Sequence, residues 1–300
     1  MRAIAGSTAL LLVNPSSGGG RGLRLWPRTA EALHAAGFDT TVVITESLED
    51  ATAQAGAAAA GSLLAVLGGD GFLGASATGA RESGAVVLPL AGGRGNDTVR
   101  RLGLGLDPAK TVGTLGDLVV RDLDMGLVNG RPYFGVANVG FDGLANEYGN
   151  NARLNLGPFV YLYGGLKAFL AWRDVTFTVS VDGAKTTFPG WFVAVGNVGQ
   201  YGGGLRICPR ALADDGLLDV VALGRATILG VAATFLRSYR GTHLRQANIT
   251  YSRGSSVSIS ANKPLNIYAD GEKMAALPAV VGIAPAAVAM LVPPSSPVLS

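Results

Sequence analysis

The chain has 300 residues, of which 48% are hydrophobic and 15% are charged, and its formal net charge is +3. This length predicts about two domains, and so weak and dispersed a positive charge gives no reason to expect a nucleic acid partner. No apolar run reaches the roughly 18 residues of a membrane-spanning helix. The single cysteine excludes an intrachain disulfide, which is typical of a cytoplasmic protein.

The first part of the chain alternates short apolar runs with helical patterns. Apolar runs of strand length lie at residues 9–13, 40–45, 63–67 and 86–90. Segments with helical spacing or many alanines separate them, as in a mainly parallel sheet covered by helices. We therefore expect an α/β domain over residues 1–125, with ligands at the carboxyl ends of its strands.

From about residue 126 the pattern becomes β-rich and antiparallel. Further strands are expected at residues 119–128, 133–138, 175–181, 191–198, 217–223, 248–259 and 265–268. Helices are expected at residues 142–148, 159–170 and 227–239, and Asn129-Gly130 is a strong hairpin signal. These elements predict an acceptor-binding second domain over residues 126–278. The apolar tail, about residues 279–296, is expected to return to the first domain, and the last residues, 293–300, to fray.

Three glycine-rich turns follow predicted strands, at residues 14–22, 68–71 and 93–97. Glycine lets the backbone approach a ligand closely, and free N–H groups at such turns hold phosphate oxygens. Asp70 lies inside the second turn and would repel a bare phosphate, which suggests that a Mg²⁺ ion sits between them. Each turn, taken alone, is equally compatible with a glycine-rich connection that binds nothing.

Four carboxylates are candidates for phosphoryl-transfer chemistry, which needs charge neutralisation and a group that orients the acceptor. Asp70 and Asp97 are candidate Mg²⁺ ligands. Asp270 or Glu272, from the second half, would take a proton from an acceptor hydroxyl across an interdomain cleft. Asp-Gly pairs are also common turn sequences, so Asp270-Gly271 is a weak signal by itself.

A bulky helical stripe at residues 159–170 has two interpretations. Core packing is the more common one. The neighbouring aromatic residues Tyr161, Tyr163 and Trp172 would alternatively line a groove that receives a lipid.

Taken in order, these segments resemble the diacylglycerol kinase catalytic family, which includes sphingosine and ceramide kinases and bacterial lipid kinases. The matching segments are VNPSSGGGRG, GGDGF, GGRGNDTVRRLG, GFDG, DDGLLDVV and DGE. The resemblance covers nearly the whole chain and implies an α/β nucleotide domain, a β-sandwich-like second domain and a site between them. It also implies an ATP- and Mg²⁺-dependent kinase of a lipid hydroxyl, with diacylglycerol as the expected acceptor. Such an enzyme would be cytoplasmic and peripherally associated with the membrane surface.

The resemblance also implies roles for individual residues. The residues expected to contact ATP are Asn14, Pro15, Ser16, Ser17, Gly18, Thr45, Gly68, Gly69, Asp70, Gly71, Arg94 and Asn96. Asp70 would organise Mg²⁺ with Asp97 and Asp124. The expected catalytic residues are Glu272 as general base, Asp270 in support, and Asp70. A second, structural Mg²⁺ would bind Asp215 and the carbonyls of Leu212 and Leu217.

Two positions depart from the family pattern. Phe72 and Arg94 stand where the family has threonine, although an arginine can donate two hydrogen bonds to a phosphate. Two alternatives therefore stay open: a kinase of a soluble acceptor, like the related NAD and sugar kinases, and a non-catalytic nucleotide-binding regulator. The oligomeric state is also open, with a homodimer as one option.

Overall fold

The computed structural model describes residue 4 and residues 6–140 and 175–300. The helices expected at residues 142–148 and 159–170, with Tyr161, Tyr163 and Trp172, lie outside the described residues. The helices that the structure describes are α1 Arg21–Ala35, α2 Leu48–Gly56, α3 Asp70–Ser83, α4 Asp97–Arg101, α5 Pro108–Gly113 and α6 Ile228–Ser238. None of these helices is long and apolar enough to cross a membrane.

The first part of the chain forms a mainly parallel sheet. Its strands are β1 Thr8–Val13, β2 Asp39–Ile44, β3 Leu63–Gly68 and β4 Val86–Ala91, in the spatial order β2-β1-β3-β4. Every neighbouring pair among them is parallel. All residues of β3 and β4 are buried, because helices cover both faces, which explains why these strands read as continuous apolar runs.

Local sequence accounts for several element boundaries. The Ser47 side chain accepts a hydrogen bond from the Asp50 N–H and caps α2. Asp107 caps α5 in the same way, with a proline at the start of the helix. Asn129 and Gly130 both have positive φ, 47° and 84°, as a tight hairpin turn requires.

The second part is antiparallel and sandwich-like, as the resemblance implies. Its strands are β5 Val119–Val128, β6 Arg131–Tyr133, β7 Val136–Gly140, β8 Thr176–Val181, β9 Ala184–Gly196, β10 Leu218–Gly224, β11 Ile249–Gly254, β12 Ser256–Ala261, β13 Asn266–Ala269 and β14 Glu272–Ala276. A core that includes Val139, Phe177 and Val195 fills the space between them. The mixed α/β fold class with a β-rich second half is therefore confirmed.

The last strand, β15 Ala279–Val292, joins the two parts. Its first half pairs with β12, and Met290 lies beside Val87 of β4 in parallel register. It also pairs antiparallel with β5, with a shift in register between Ala284 and Val288. One strand therefore contributes side chains to the cores of both parts.

Four details of the expected elements are wrong. Residues 133–138 are not one strand, because β6 ends at Tyr133 and β7 begins at Val136. Residues 248–259 divide at Ser255, since β11 pairs with β10 whereas β12 pairs with β8 and β15. Strand β14 was not expected, and it pairs with β13.

The fourth detail is the carboxyl-terminal segment, which does not fray. Val298 is fully buried in the core of the first part. Its carbonyl accepts a hydrogen bond of 2.8 Å from the Ala213 N–H. The Ser300 N–H donates to Asp214 at 2.8 Å. These contacts tie residues 293–300 to the loop before β10.

Candidate active site

The three glycine turns meet at the carboxyl ends of β1, β3 and β4. The Ser17 hydroxyl accepts a hydrogen bond of 3.1 Å from the Gly69 N–H. The third turn touches both others: a Cβ built on Gly93 would lie 2.6 Å from the Gly69 Cα, and one built on Gly18 would lie 2.7 Å from the Gly92 carbonyl oxygen. Because the backbones of the turns pack this closely, a side chain would clash with the neighbouring turn. This is a physical reason for glycine in all three turns.

Side chains fix the shape of the first and third turns. Asn14 Oδ1 accepts hydrogen bonds from both the N–H and the hydroxyl of Ser16. Asn96 has a φ of 50°, and its amide both accepts from the Gly93 N–H at 2.7 Å and donates to the Gly93 carbonyl at 3.0 Å. These hydrogen bonds therefore fix the backbone of the first and third turns.

Asp70 begins α3 and reaches across to α4. Its carboxylate accepts hydrogen bonds from the Asp97 N–H at 3.1 Å and the Thr98 N–H at 2.8 Å. Burial raises the pKa of Asp70, and the nearby negative charge of Asp97 raises it further, against the lowering effect of the two N–H donors. A cation at this position would relieve that repulsion.

Asp97 supplies the second carboxylate of this pair and is 4% exposed. It accepts hydrogen bonds from the Gln200 amide at 3.0 Å and the Gly203 N–H at 2.7 Å. A Cβ built on Gly95 would lie 2.9 Å from Asp97 Oδ2 and 3.7 Å from Asp70 Oδ2. The absence of that Cβ leaves a small space flanked by two carboxylate oxygens, and this donor set fits Mg²⁺.

Asp270 comes from the antiparallel part and faces α3. It occupies the turn between β13 and β14 with a φ of 50°, and its carboxylate accepts hydrogen bonds from the Phe134 and Gly135 N–H groups at 2.7 and 2.9 Å. A Cβ built on Gly74 of α3 would lie 3.2 Å from Asp270 Oδ2. Burial, with a contribution from the charge of Asp70, raises the pKa of Asp270 to about 6.

The other expected residues near the turns differ in exposure. Glu272 is exposed and lies opposite Ala269 in the β13–β14 pair, two residues from Asp270. Arg94 is also exposed. The Phe72 ring is buried in the core and packs on Gly68, so it is not part of the exposed surface of the turns. Thr45 is buried, and its hydroxyl donates to the Val13 carbonyl.

Asp124 makes its contacts in the second part of the chain. Its buried carboxylate accepts hydrogen bonds from the Gly216 N–H at 2.7 Å and the Ala286 N–H at 2.8 Å, and burial raises its pKa. Neither partner lies in a regularly paired part of a strand. Gly216 is in the loop before β10, and Ala286 lies at the register shift in β15. Asp124 therefore holds these two segments together.

The residues expected to bind the second, structural Mg²⁺ include a carboxylate that already forms an ion pair. Arg253 forms ion pairs with Asp215 and, at 3.1 Å, with Asp219. The other oxygen of Asp215 accepts from the Leu217 N–H at 3.0 Å. Because a guanidinium already neutralises Asp215, this set fits a cation less well than the pair of Asp70 and Asp97.

The loop after β9 holds Asp97 in place, and none of the residues expected at the site belongs to this loop. Gln200 and Gly203 belong to the glycine-rich segment 199–204. The buried Arg101 side chain anchors the same region, because it donates to the carbonyls of Val198 at 3.2 Å and Pro209 at 3.0 Å. The glycines of this segment form a fourth cluster that can be recognised in the sequence. Unlike the second and third glycine turns, however, this cluster is not followed by a predicted helix.

The chain is similar to known proteins over nearly its whole length. Residues 8–128 match the family described as diacylglycerol kinase catalytic domain, and residues 135–292 match the YegS C-terminal NAD kinase beta sandwich-like domain. A "Diacylglycerol kinase" of Mycobacterium tuberculosis is 31% identical over 297 residues, which is 94% of each chain. A "Probable lipid kinase YegS-like" of Pseudomonas fluorescens is 31% identical over 279 residues, 90% of this chain and 91% of that one.

A solved structure has the same fold. The crystal structure of a diacylglycerol kinase from Bacillus anthracis superposes with a TM-score of 0.73 at 22% identity, covering 97% of this chain and 98% of that one. The matches to both parts, in the same order and over nearly the whole length, show that the chain belongs to the diacylglycerol kinase family of lipid kinases, phosphotransferases with an alcohol group as acceptor.

Proposed function

We propose that the protein transfers the γ-phosphate of ATP to the hydroxyl group of diacylglycerol in a Mg²⁺-dependent reaction. The observation that carries this proposal is the meeting of Asp70, Asp97 and Asp270 beside three glycine turns. The turns offer backbone donors for a polyphosphate, and the carboxylates come from both parts of the chain. The names of the relatives support the lipid acceptor.

The proposed nucleotide site is the surface of the three turns. The residues assigned to it are Asn14, Pro15, Ser16, Ser17, Gly18, Thr45, Gly68, Gly69, Asp70, Gly71, Arg94 and Asn96. The exposed Arg94 can donate two hydrogen bonds to a phosphate. Mg²⁺, held by Asp70 and Asp97, would neutralise the phosphate oxygens. Asp124 remains a weaker assignment, because its carboxylate binds Gly216 and Ala286, which do not belong to the three turns.

The acceptor side of the reaction is assigned to the turn between β13 and β14. Glu272 is exposed and takes the proton from the lipid hydroxyl as the oxygen attacks phosphorus. Asp270 is held by two backbone N–H groups and fixes the turn that presents Glu272. We further propose that the domain boundary lies at about residues 125–126, and that the protein acts in the cytoplasm on lipid at a membrane surface.

The test is transfer of labelled phosphate from ATP to diacylglycerol, with and without Mg²⁺. Asp70→Asn is expected to lower the rate at least about a hundredfold, since it removes charge from the cation site. Asp50→Asn is the matched control: Asp50 also accepts from a backbone N–H, at 3.0 Å, but lies in α2. Circular dichroism checks that both variants fold.

Two results would overturn the proposal. Transfer to NAD or a sugar, with none to lipid, would make the protein a kinase of a soluble acceptor. Calorimetric binding of ATP without turnover on any acceptor would make it a regulator. Full activity of a folded Asp70→Asn variant would remove Asp70 from the mechanism while leaving the kinase assignment intact.

A further inference from the structure

Helix α6, Ile228–Ser238, exposes its leucines to solvent, while Val231 and Phe235 pack against the core. Its buried residues are Val231, Thr234 and Ser238. The two hydroxyl groups donate to carbonyls of the helix itself, Thr234 to Gly230 and Ser238 to Thr234, each at 2.8 Å. The leucines point outward: Leu229 is 78% exposed and Leu236 is 71% exposed. A helix that only packs on its own protein carries polar residues, not leucines, on its outer face.

The exposed apolar residues form one continuous stripe. Leu229, Ala232, Leu236 and Tyr239 are all exposed and follow one another at intervals of three or four residues, which places them on one face of the helix. Ile228, 43% exposed, widens the stripe at its start. Scattered exposed leucines are common, but a contiguous apolar stripe marks an interaction surface.

Several arginines lie in α6 or in segments next to it. The exposed ones within and next to α6 are Arg206, Arg225, Arg237, Arg240 and Arg245. The 50 residues from Val220 to Ala269 contain no aspartate or glutamate, in a chain whose net charge is only +3. Within the described ranges, no carboxylate forms an ion pair with Arg225, Arg237, Arg240 or Arg245. Among the described residues, the surface therefore combines exposed apolar side chains with arginines that form no ion pair.

We propose that the exposed face of α6, with its arginines, docks on an anionic lipid bilayer. This inference rests on the lipid acceptor of the proposed function and names the surface that approaches the lipid. An apolar stripe flanked by arginines is the composition of helices that lie in the membrane interface. A second copy of the chain is a poorer occupant, because a symmetric dimer would bring the same arginines together.

The docking face is one loop away from the candidate active site. A Cβ built on Gly204 would lie 3.7 Å from the Tyr239 ring, at the end of α6. The preceding residue, Gly203, donates its N–H to Asp97 at 2.7 Å. The Arg206 N–H also donates to the Ser238 carbonyl at 3.0 Å. A bilayer at this face thus lies beside the loop that holds Asp97.

The experiment is co-sedimentation with phosphatidylcholine vesicles, with or without phosphatidylglycerol. Leu229→Ser with Leu236→Ser is expected to weaken binding at least about tenfold. Arg237→Gln with Arg240→Gln should weaken it roughly fivefold for each charge on anionic vesicles only, and added salt should reduce this difference. Matched controls are Leu23→Ser with Val280→Ser, which are exposed apolar residues elsewhere, and Arg28→Gln with Arg81→Gln.

A kinase assay on a short-chain, non-aggregated diacylglycerol separates docking from chemistry. The α6 variants should keep the wild-type rate on this acceptor and lose rate only on acceptor embedded in anionic vesicles. Wild-type protein that binds anionic vesicles but phosphorylates no lipid would support docking and refute the kinase proposal. Unchanged vesicle binding by the α6 variants would overturn docking, and so would a dimer, seen by light scattering, that the leucine substitutions dissociate.

Discussion

At the scale of single residues, the candidate active site holds carboxylates whose positions depend on backbone donors. Asp70 accepts from two N–H groups of α4, and Asp270 accepts from two N–H groups before β7. Such bonds favour the charged form, whereas burial and the neighbouring carboxylates oppose it. Burial dominates for both, since both pKa values are raised. The folded protein thus keeps repelling charges together, as a site for a cation and a polyphosphate requires.

The raised pKa of Asp270 predicts a pH effect on stability. Its folded pKa of about 6 exceeds the ordinary value of 3.8, so between these values the folded state binds more protons than the unfolded state. The stabilisation is present below about pH 4 and is lost as the pH rises through 6. The free energy of unfolding of wild type minus that of Asp270→Asn should therefore fall by about 2 kcal/mol from pH 4 to pH 7, measured by urea unfolding.

Asp182 provides the control with the opposite sign. It also accepts from two backbone N–H groups, those of Ser255 and Ser256, but it is exposed, and these bonds lower its pKa. The stabilisation by the Asp182 carboxylate is present above its ordinary pKa and is lost as the pH falls. The free energy of unfolding of wild type minus that of Asp182→Asn should therefore rise with pH. A difference for Asp270→Asn that stays constant from pH 4 to pH 7 would contradict the burial of its carboxylate.

At the scale of elements, the glycine turns act as one packed unit. A Cβ on Gly93 would meet the Gly69 Cα at 2.6 Å, and neither backbone can move without opening the sheet edge. Gly93→Ala should lower the free energy of unfolding by about 1–3 kcal/mol. It should also weaken ATP binding more than about tenfold, because two of the proposed phosphate-binding turns separate. Urea unfolding and calorimetry measure the two effects.

Gly113→Ala is the matched control, because a Cβ at Gly113, the last residue of α5, meets nothing within 4 Å. That variant should bind ATP as wild type does and change stability by no more than about 1 kcal/mol. Wild-type affinity for ATP in a folded Gly93→Ala variant would show that the nucleotide does not bind across these turns.

Elements set by neighbouring residues were predictable from sequence, and elements set by distant ones were not. Ser47, Asp107 and Asn129-Gly130 act on their own helix or hairpin, so each is readable in a few residues. The donors to Asp97, by contrast, come from residues 200 and 203, more than a hundred positions away. No local pattern encodes such a pairing. The split of residues 248–259 at Ser255 has the same origin, since only pairing partners distinguish β11 from β12.

At the scale of the whole molecule, β15 and the segment after it connect the two parts. Strand β15 pairs with β12 at one end and with β4 at the other, and it pairs with β5 in both halves. The segment that follows then turns back to the loop before β10, through the bond between Ala213 and Val298. Its proline- and serine-rich composition is typical of a frayed end, which is why the expectation that residues 293–300 fray was wrong. The burial of Val298 holds this segment in place, although its composition predicts fraying.

Val298 therefore offers a test of how firmly the terminus closes the molecule. Val298→Ala removes two buried methyl groups and should lower the free energy of unfolding by about 2 kcal/mol, with the cavity included. Val280→Ala, at a residue 51% exposed, should change it by less than about 0.5 kcal/mol. Truncation after Val292 should cost more than either, because it also removes the acceptor of the Ala213 N–H. If urea unfolding of the truncated protein matches wild type, the terminus contributes nothing to stability in solution.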